Sequence, residues 1–232
     1  MKRIRARITL FAGLLLAVAS PVAPGGELTV TFIGNMAFHI TDGETALLSD
    51  FPYQSGAFGY MKYEMADVPP IKDGLSLITH WHTDHWSLPL FAAMDTKLIA
   101  PDDVVAKIDD AARVIKIAPG APAAFRGMTI EAAKTIHRLA PSHYSYIVTW
   151  HGKRLYFTGD TESPEYILDA KNIDVMFLSP WLIRTIERQK LSLDAKTLVV
   201  YHQKETEEIP PFQDYKRMKQ GESFTVAFED KP

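Results

Sequence analysis

The chain of 232 residues contains no cysteine. That excludes a disulfide framework, and it excludes a thiolate as metal ligand or nucleophile. Any metal site must therefore be built from His, Asp or Glu. Charge of one sign is scarce as well. The formal net charge is -3, with no long run of either sign, so there is no basic field for nucleic acid or an anionic membrane. No apolar run reaches the roughly 20 residues of a bilayer span. Internal repeats and low-complexity tracts are also missing, which sets aside solenoids and disordered arrays. What is left is a composition of 47% hydrophobic and 23% charged residues, ordinary for a globular protein with a sizeable core.

The N-terminus is unlike the rest. Lys2, Arg3, Arg5 and Arg7 precede an apolar run over residues 8–19. Ala17-Val18-Ala19 before Ser20 has the small-x-small pattern of a secretory cleavage site. The expectation is a cleaved leader over 1–19, a Pro/Gly-rich linker over 20–26 and one domain over 27–232. Such a leader implies export, to a bacterial periplasm, with no membrane attachment after cleavage. No cysteine follows the run, which excludes a lipid anchor at a processed Cys, and Ile4 separates Arg3 from Arg5, so the twin-arginine export signal is missing.

Period-two alternation makes residues 27–34 (E-L-T-V-T-F-I-G) a first strand, and 37–41 with 45–49 a hairpin around Asp42-Gly43. Residues 52–73 lack periodicity and are rich in Gly, Pro, Tyr and Met; they read as a long loop beside the functional site. Further strands are expected at 75–79, 97–100, 128–133 with 135–136, 144–150, 154–158, 174–179, 197–201 and 222–228. A short extended piece falls at 115–117. Helices are expected over 86–94, 101–112 and 164–170; Pro101, Asp102 and Asp103 suit a first helical turn. Many strands with a few helices make an α/β protein.

The chemistry concentrates in residues 79–86, T-H-W-H-T-D-H-W. Imidazole nitrogens and carboxylate oxygens bind first-row cations such as zinc. On an extended segment His80, His82 and Asp84 project to one side, and His85 falls out of phase. One short loop could thus serve two metals about 3.5–4 Å apart. Other strands end in similar residues: 128–136 at His137, 154–158 just before Asp160, and 197–201 at His202. A single His is more often a core or surface residue, but ligand-type residues at four strand ends point to one site on a rigid scaffold.

H-W-H-T-D-H resembles the H-x-H-x-D-H signature of the metallo-β-lactamase-fold hydrolases, and T-G-D-T at 158–161 resembles their downstream Asp block. T-L-V-V-Y-H at 197–202 looks like their last ligand-bearing strand. The opening strand with Gly34, then L-L-S-D-F-P at 47–52, is similar to the branch that includes L-ascorbate-6-phosphate lactonase. The resemblance implies a four-layer αββα sandwich and two divalent metals, zinc first, with manganese or iron as alternatives. One metal would be held by His80, His82 and His137, the other by Asp84, His85 and His202, with Asp160 bridging. H-Y-S-Y at 143–146 matches a second, non-ligand His of the family pattern, which favours His137 as the ligand and keeps His143 as the alternative.

The activity implied is hydrolysis of a small-molecule lactone, ester or phosphoester by a metal-bridging hydroxide, with Asp84 orienting the nucleophile or taking its proton. A periplasmic β-lactamase and an iron-dependent sulfur dioxygenase-like enzyme are alternatives on the same fold. The β-lactamase subclass with H-x-H-x-D-H does not use an Asp ligand after the hairpin, whereas Asp160 is present here. Trp81, Trp86, Tyr144, Trp181 and Arg184 are candidate pocket residues, and Lys62 is a second candidate for an anionic substrate. His39 and His151 read as a structural and a surface histidine.

Overall fold

Two mixed sheets face each other in the computed structural model, which describes residues 25–204, 206–209 and 214–229. The expected leader, most of the linker and Pro210-Pro211 lie outside the described residues. The first strands are β1 (Gly26–Gly34), β2 (Ala37–Thr41), β3 (Ala46–Ser49), β4 (Gly74–Leu77) and β5 (Thr96–Ile99). Next come β6 (Ala123–Phe125), β7 (Met128–Lys134), β8 (Tyr144–Trp150) and β9 (Lys153–Phe157). The chain ends through β10 (Ile173–Leu178), β11 (Ala195–Val200), β12 (Tyr215–Arg217) and β13 (Ser223–Phe228). The helices are α1 (Leu88–Ala92), α2 (Asp102–Val105), α3 (Glu165–Asp169) and α4 (Pro180–Gln189).

One sheet has the order β13-β1-β2-β3-β4-β5, the other β12-β11-β10-β9-β8-β7-β6. Each combines an antiparallel meander with parallel strands: β3-β4-β5 in the first and β9-β10-β11-β12 in the second. The main core lies between them, where Phe32, Phe38 and Leu77 of the first sheet meet Tyr146, Phe157 and Phe177 of the second. Central parallel strands are buried on both faces, which requires continuous apolar runs. β10 meets this need: Val175 and Phe177 enter the main core, while Met176 and Leu178 pack outward with Leu182, Ile183 and Ile186 of α4. On the other side Phe91 of α1 and Val104 of α2 pack with Ile78 and Leu98. Helices outside two sheets give the αββα sandwich.

Several expected elements differ. The helix expected over 101–112 stops after Asp102–Val105, because only Val104 is buried and the Asp110 side chain caps a new turn by accepting from Ala112 N at 3.0 Å. The strand expected to run through 135–136 ends at Lys134. There Thr135 N donates to the His143 carbonyl at 3.0 Å and Thr135 Oγ1 receives His143 Nδ1 at 2.7 Å, turning the chain out of the sheet. α4, the longest helix described, has no counterpart among the expected elements, although Ser179-Pro180 is an ordinary helix start. The short edge strands β6 and β12 were likewise not foreseen.

Candidate metal centre

Four strands deliver the site. β4 runs into residues 79–86, β7 precedes His137, β9 precedes Asp160, and β11 precedes His202. The extended reading holds only for the start of the first loop. A turn closes over residues 82–86, with His85 N at 2.9 Å and Trp86 N at 2.8 Å from the His82 carbonyl. The turn sets Asp84 and His85 with His202 while keeping the His85 ring 3.9 Å from that of His80. Three groups of side chains result, each with ligand atoms within 4.8 Å of one another: His80, His82 and His137; His80, His85 and Asp160; Asp84, His85 and His202. All seven residues that the resemblance pointed to are thus brought together.

Hydrogen bonds fix which ring nitrogens face inward. His85 Nδ1 donates to Asp50 Oδ2 at 3.2 Å, which turns Nε2 towards the carboxylates. It lies 3.3 Å from Asp160 Oδ2 and 3.5 Å from Asp84 Oδ2. His202 Nε2 is 3.2 Å from Asp160 Oδ2 and 3.3 Å from Asp84 Oδ2. His82 Nε2 donates to the Leu139 carbonyl at 3.0 Å, so its Nδ1 lone pair faces His80 Nε2 at 2.9 Å. His80 Nδ1 lies 3.1 Å from Thr79 Oγ1, which leaves Nε2 as its free acceptor. Two acceptor nitrogens this close suit a cation between them.

The buried atoms without hydrogen-bond partners agree. Asp84 Oδ1, Asp160 Oδ1, His85 Nε2 and both ring nitrogens of His137 and His202 are such atoms. Unpaired buried polar groups are costly and uncommon in a folded protein, and their convergence on one spot fits a divalent metal held by His nitrogens and carboxylate oxygens.

The charges are arranged to match. Burial lowers the His80 imidazole, and the neighbouring His85 lowers it further, so His80 is neutral near pH 7, with one ring proton. Burial opposes ionisation of Asp160, yet His202 and His85 hold its carboxyl well below the usual range. Burial likewise opposes charge on His85 and His202, but Asp160 outweighs it and raises both rings. In the metal-free protein this half of the site is a carboxylate–imidazolium cluster.

His137 and His143 separate by their partners. His143 is 1% exposed and both nitrogens are occupied: Nδ1 donates to Thr135 Oγ1, and Nε2 accepts the Asp160 backbone N–H at 2.8 Å. Burial pushes it down to about 3, which keeps Nε2 an acceptor. Its task is to hold the Asp160 turn, and Gly159 completes that turn. Gly159 has φ +63, and a Cβ there would run into the His143 ring. His137 is free to serve as the third ligand.

Two supporting residues escaped the sequence reading. Asp50 is buried; besides orienting His85 it accepts Thr79 N at 2.7 Å. Asn35, also buried, donates to the Asp84 carbonyl and accepts from His202 N, both at 2.8 Å. It steadies His202 in a left-handed backbone conformation, φ +53. A lone Asp after a strand and an Asn after Gly34 carry no spacing signal, so nothing in the sequence marks them.

A cavity of about 890 Å³ opens over the centre, with His82, Asp84, His137, Asp160 and His202 in its wall. Of the candidate pocket residues only Trp181 lines it; its ring meets His202 edge-on at 4.8 Å and its Nε1 donates to the Thr161 carbonyl. Trp86 is instead buried against Phe91, and Tyr144 sits in the main core. Trp81 is exposed beneath the Lys107 ammonium, and Arg184 pairs with Glu207 at 2.9 Å. Lys62 borders a separate cavity of about 420 Å³. The loop over 52–73 does lie beside the site: Tyr60 lines the cavity, its ring 4.3 Å from that of His202. His39 is buried, and His151 pairs at the surface with Asp42.

A family model of the beta-lactamase superfamily domain matches residues 66–209. The chain belongs to that family and has the fold of its metallo-hydrolases. Among solved structures, it is similar to a candidate metal-dependent hydrolase from Parabacteroides distasonis, 24% identical over 81% of this chain and 90% of that one, TM-score 0.61. It is also similar to Igni18, a metallo hydrolase of the archaeon Ignicoccus hospitalis, 21% identical over 88% and 100%, TM-score 0.63. A third similar structure is CmlA, a diiron β-hydroxylase of Streptomyces venezuelae, 16% identical over 77% of this chain and 45% of that one, TM-score 0.52. These likenesses are of fold. No curated protein matches.

Proposed function

We propose that this protein is an exported hydrolase that uses two divalent metals, zinc first, on a small-molecule lactone, ester or phosphoester. The observation that carries the reading is the convergence of unpartnered buried His and Asp atoms from four strand ends at the floor of an open cavity. His80, His82 and His137 would hold one ion and Asp84, His85 and His202 the other, with Asp160 between them. Bound metal would supply Lewis acidity and an activated water.

The chain's own residues do the rest. Asp84 lies in the cavity wall with Oδ1 unpartnered. Although burial opposes its charge, the nearby His202 and His85 rings keep its carboxyl below the usual range. A carboxylate so held is a weak base and a good acceptor, which suits orienting the nucleophile more than storing its proton. The lactone among the substrates rests on the likeness of residues 47–52 to the ascorbate-6-phosphate lactonase branch. The likeness to CmlA supports one second reading, iron and oxidative chemistry.

The test is to load the purified mature chain with zinc, manganese or iron and assay a panel of lactones, phosphodiesters and β-lactams. Chelator-sensitive turnover of a lactone or ester is expected, with Asp84→Ala lowering kcat by at least a hundredfold while the fold survives. An active Asp84→Ala protein would remove that role, and turnover of β-lactams alone would replace the substrate reading. Export is tested by N-terminal sequencing of periplasmic protein, with Ser20 expected as the first residue.

A further inference from the structure

Two apolar side chains of the cavity wall stand largely in solvent instead of packing into the core. Phe58 is 67% exposed and Leu139 75% exposed, and both line the cavity whose wall includes Asp84, Asp160 and His202. Scattered exposed apolar residues need no explanation, but apolar groups gathered on one polar, metal-ligating cavity do. Neither sits on slack chain. Phe58 has φ 50 and ψ 23, a left-handed conformation unfavourable for a bulky residue, between Gly56 and Gly59, each at φ +75. The Leu139 carbonyl receives His82 Nε2, so the segment that displays this leucine is fastened to a ligand. Trp181, half-buried, continues the apolar surface inward to His202. Arg138 and Glu162, on the same rim, neutralise each other at 3.1 Å. At about 890 Å³ the cavity has room for a substituent well beyond the reacting group.

We infer that the substrate carries an extended alkyl or aryl group next to the bond that is cleaved, and that Phe58 and Leu139 select it. This rests on the metal-hydrolase reading, because the reacting end is placed by the metal centre. The apolar group would lie across the mouth and remove both side chains from water as it binds.

The probe is a series of n-alkylphosphonates from methyl to octyl, titrated calorimetrically into zinc-loaded protein, so that no turnover is needed. Affinity is expected to rise about two- to fourfold per methylene. The double variant Phe58→Asn/Leu139→Asn should cut the octyl-to-methyl affinity ratio at least tenfold. Asn tolerates the left-handed region at position 58, and a melt close to the parent's verifies folding. If the double variant does not fold, Leu139→Asn is read alone, with at least a threefold cut expected. A flat series in the parent, or an unchanged slope in the folded variant, overturns the inference. Methylphosphonate binding without a slope overturns the mouth alone; no binding of any member overturns the metal centre with it.

Discussion

At the scale of single residues, the centre depends on side chains that never meet a substrate. Asp50 fixes the tautomer of His85 from behind. Outer partners of metal-ligating histidines typically contribute about 10–100-fold in metal affinity. Asp50→Asn is therefore expected to weaken zinc binding by that factor in a competition titration against a chromophoric chelator, with little change in the ligand count. The two histidines of the weak motif should also part ways. His137→Ala should remove a ligand and abolish metal at the His80–His82 position. His143→Ala should keep the ligand set but leave the Asp160 N–H and Thr135 hydroxyl unpaired, costing about 1–3 kcal/mol of stability by urea titration.

Proton linkage gives a third outcome at this scale. Asp160 raises His85 and His202, which favours their imidazolium forms without metal, and each ring must be neutral to become a ligand. Zinc loading at pH 7 should release protons, seen as heats that depend on the buffer's ionisation enthalpy, and affinity should fall as pH falls. Loading without proton release would contradict this arrangement. The ligand residues were legible because H-x-H-x-D-H compresses them into one loop and strand ends mark the others. Their supports were not: Asp50, Asn35 and Tyr60 act through contacts across the fold, and a linear pattern does not record such contacts.

At the scale of elements, α4 shows how a helix with a plain start can escape notice. Its buried residues Leu182, Ile183 and Ile186 make a narrow stripe, while Trp181, Thr185 and Arg188 line the cavity on another face. The apolar residues do keep helical spacing, but the segment is only 10 residues long and half of it is polar, so a short stripe of this kind is easily read as loop. Strands were easier, since β7 alternates as a half-exposed strand must and β10 is buried along its whole length and apolar but for Asp174. Ile186→Ala should cost about 2–5 kcal/mol in urea unfolding. The loss would also show in the cavity, because the same helix carries its wall.

At the scale of the whole molecule, each sheet brings half of the centre. The first sheet supplies His80, His82, Asp84 and His85 from the end of β4; the second supplies His137, Asp160 and His202 from β7, β9 and β11. Metal bound there ties the two layers of the sandwich together and stabilises the folded state by mass action. The sandwich itself followed from the resemblance, whereas strand order and register depend on long-range pairing, such as β1 with β13, that local patterns do not encode. The most direct measurement strips the protein with a chelator, titrates zinc back and counts the equivalents bound by elemental analysis. Two per chain are expected, falling to one or fewer when Asp160 is replaced by Ala. A protein that binds no stoichiometric metal would contradict the account at its root.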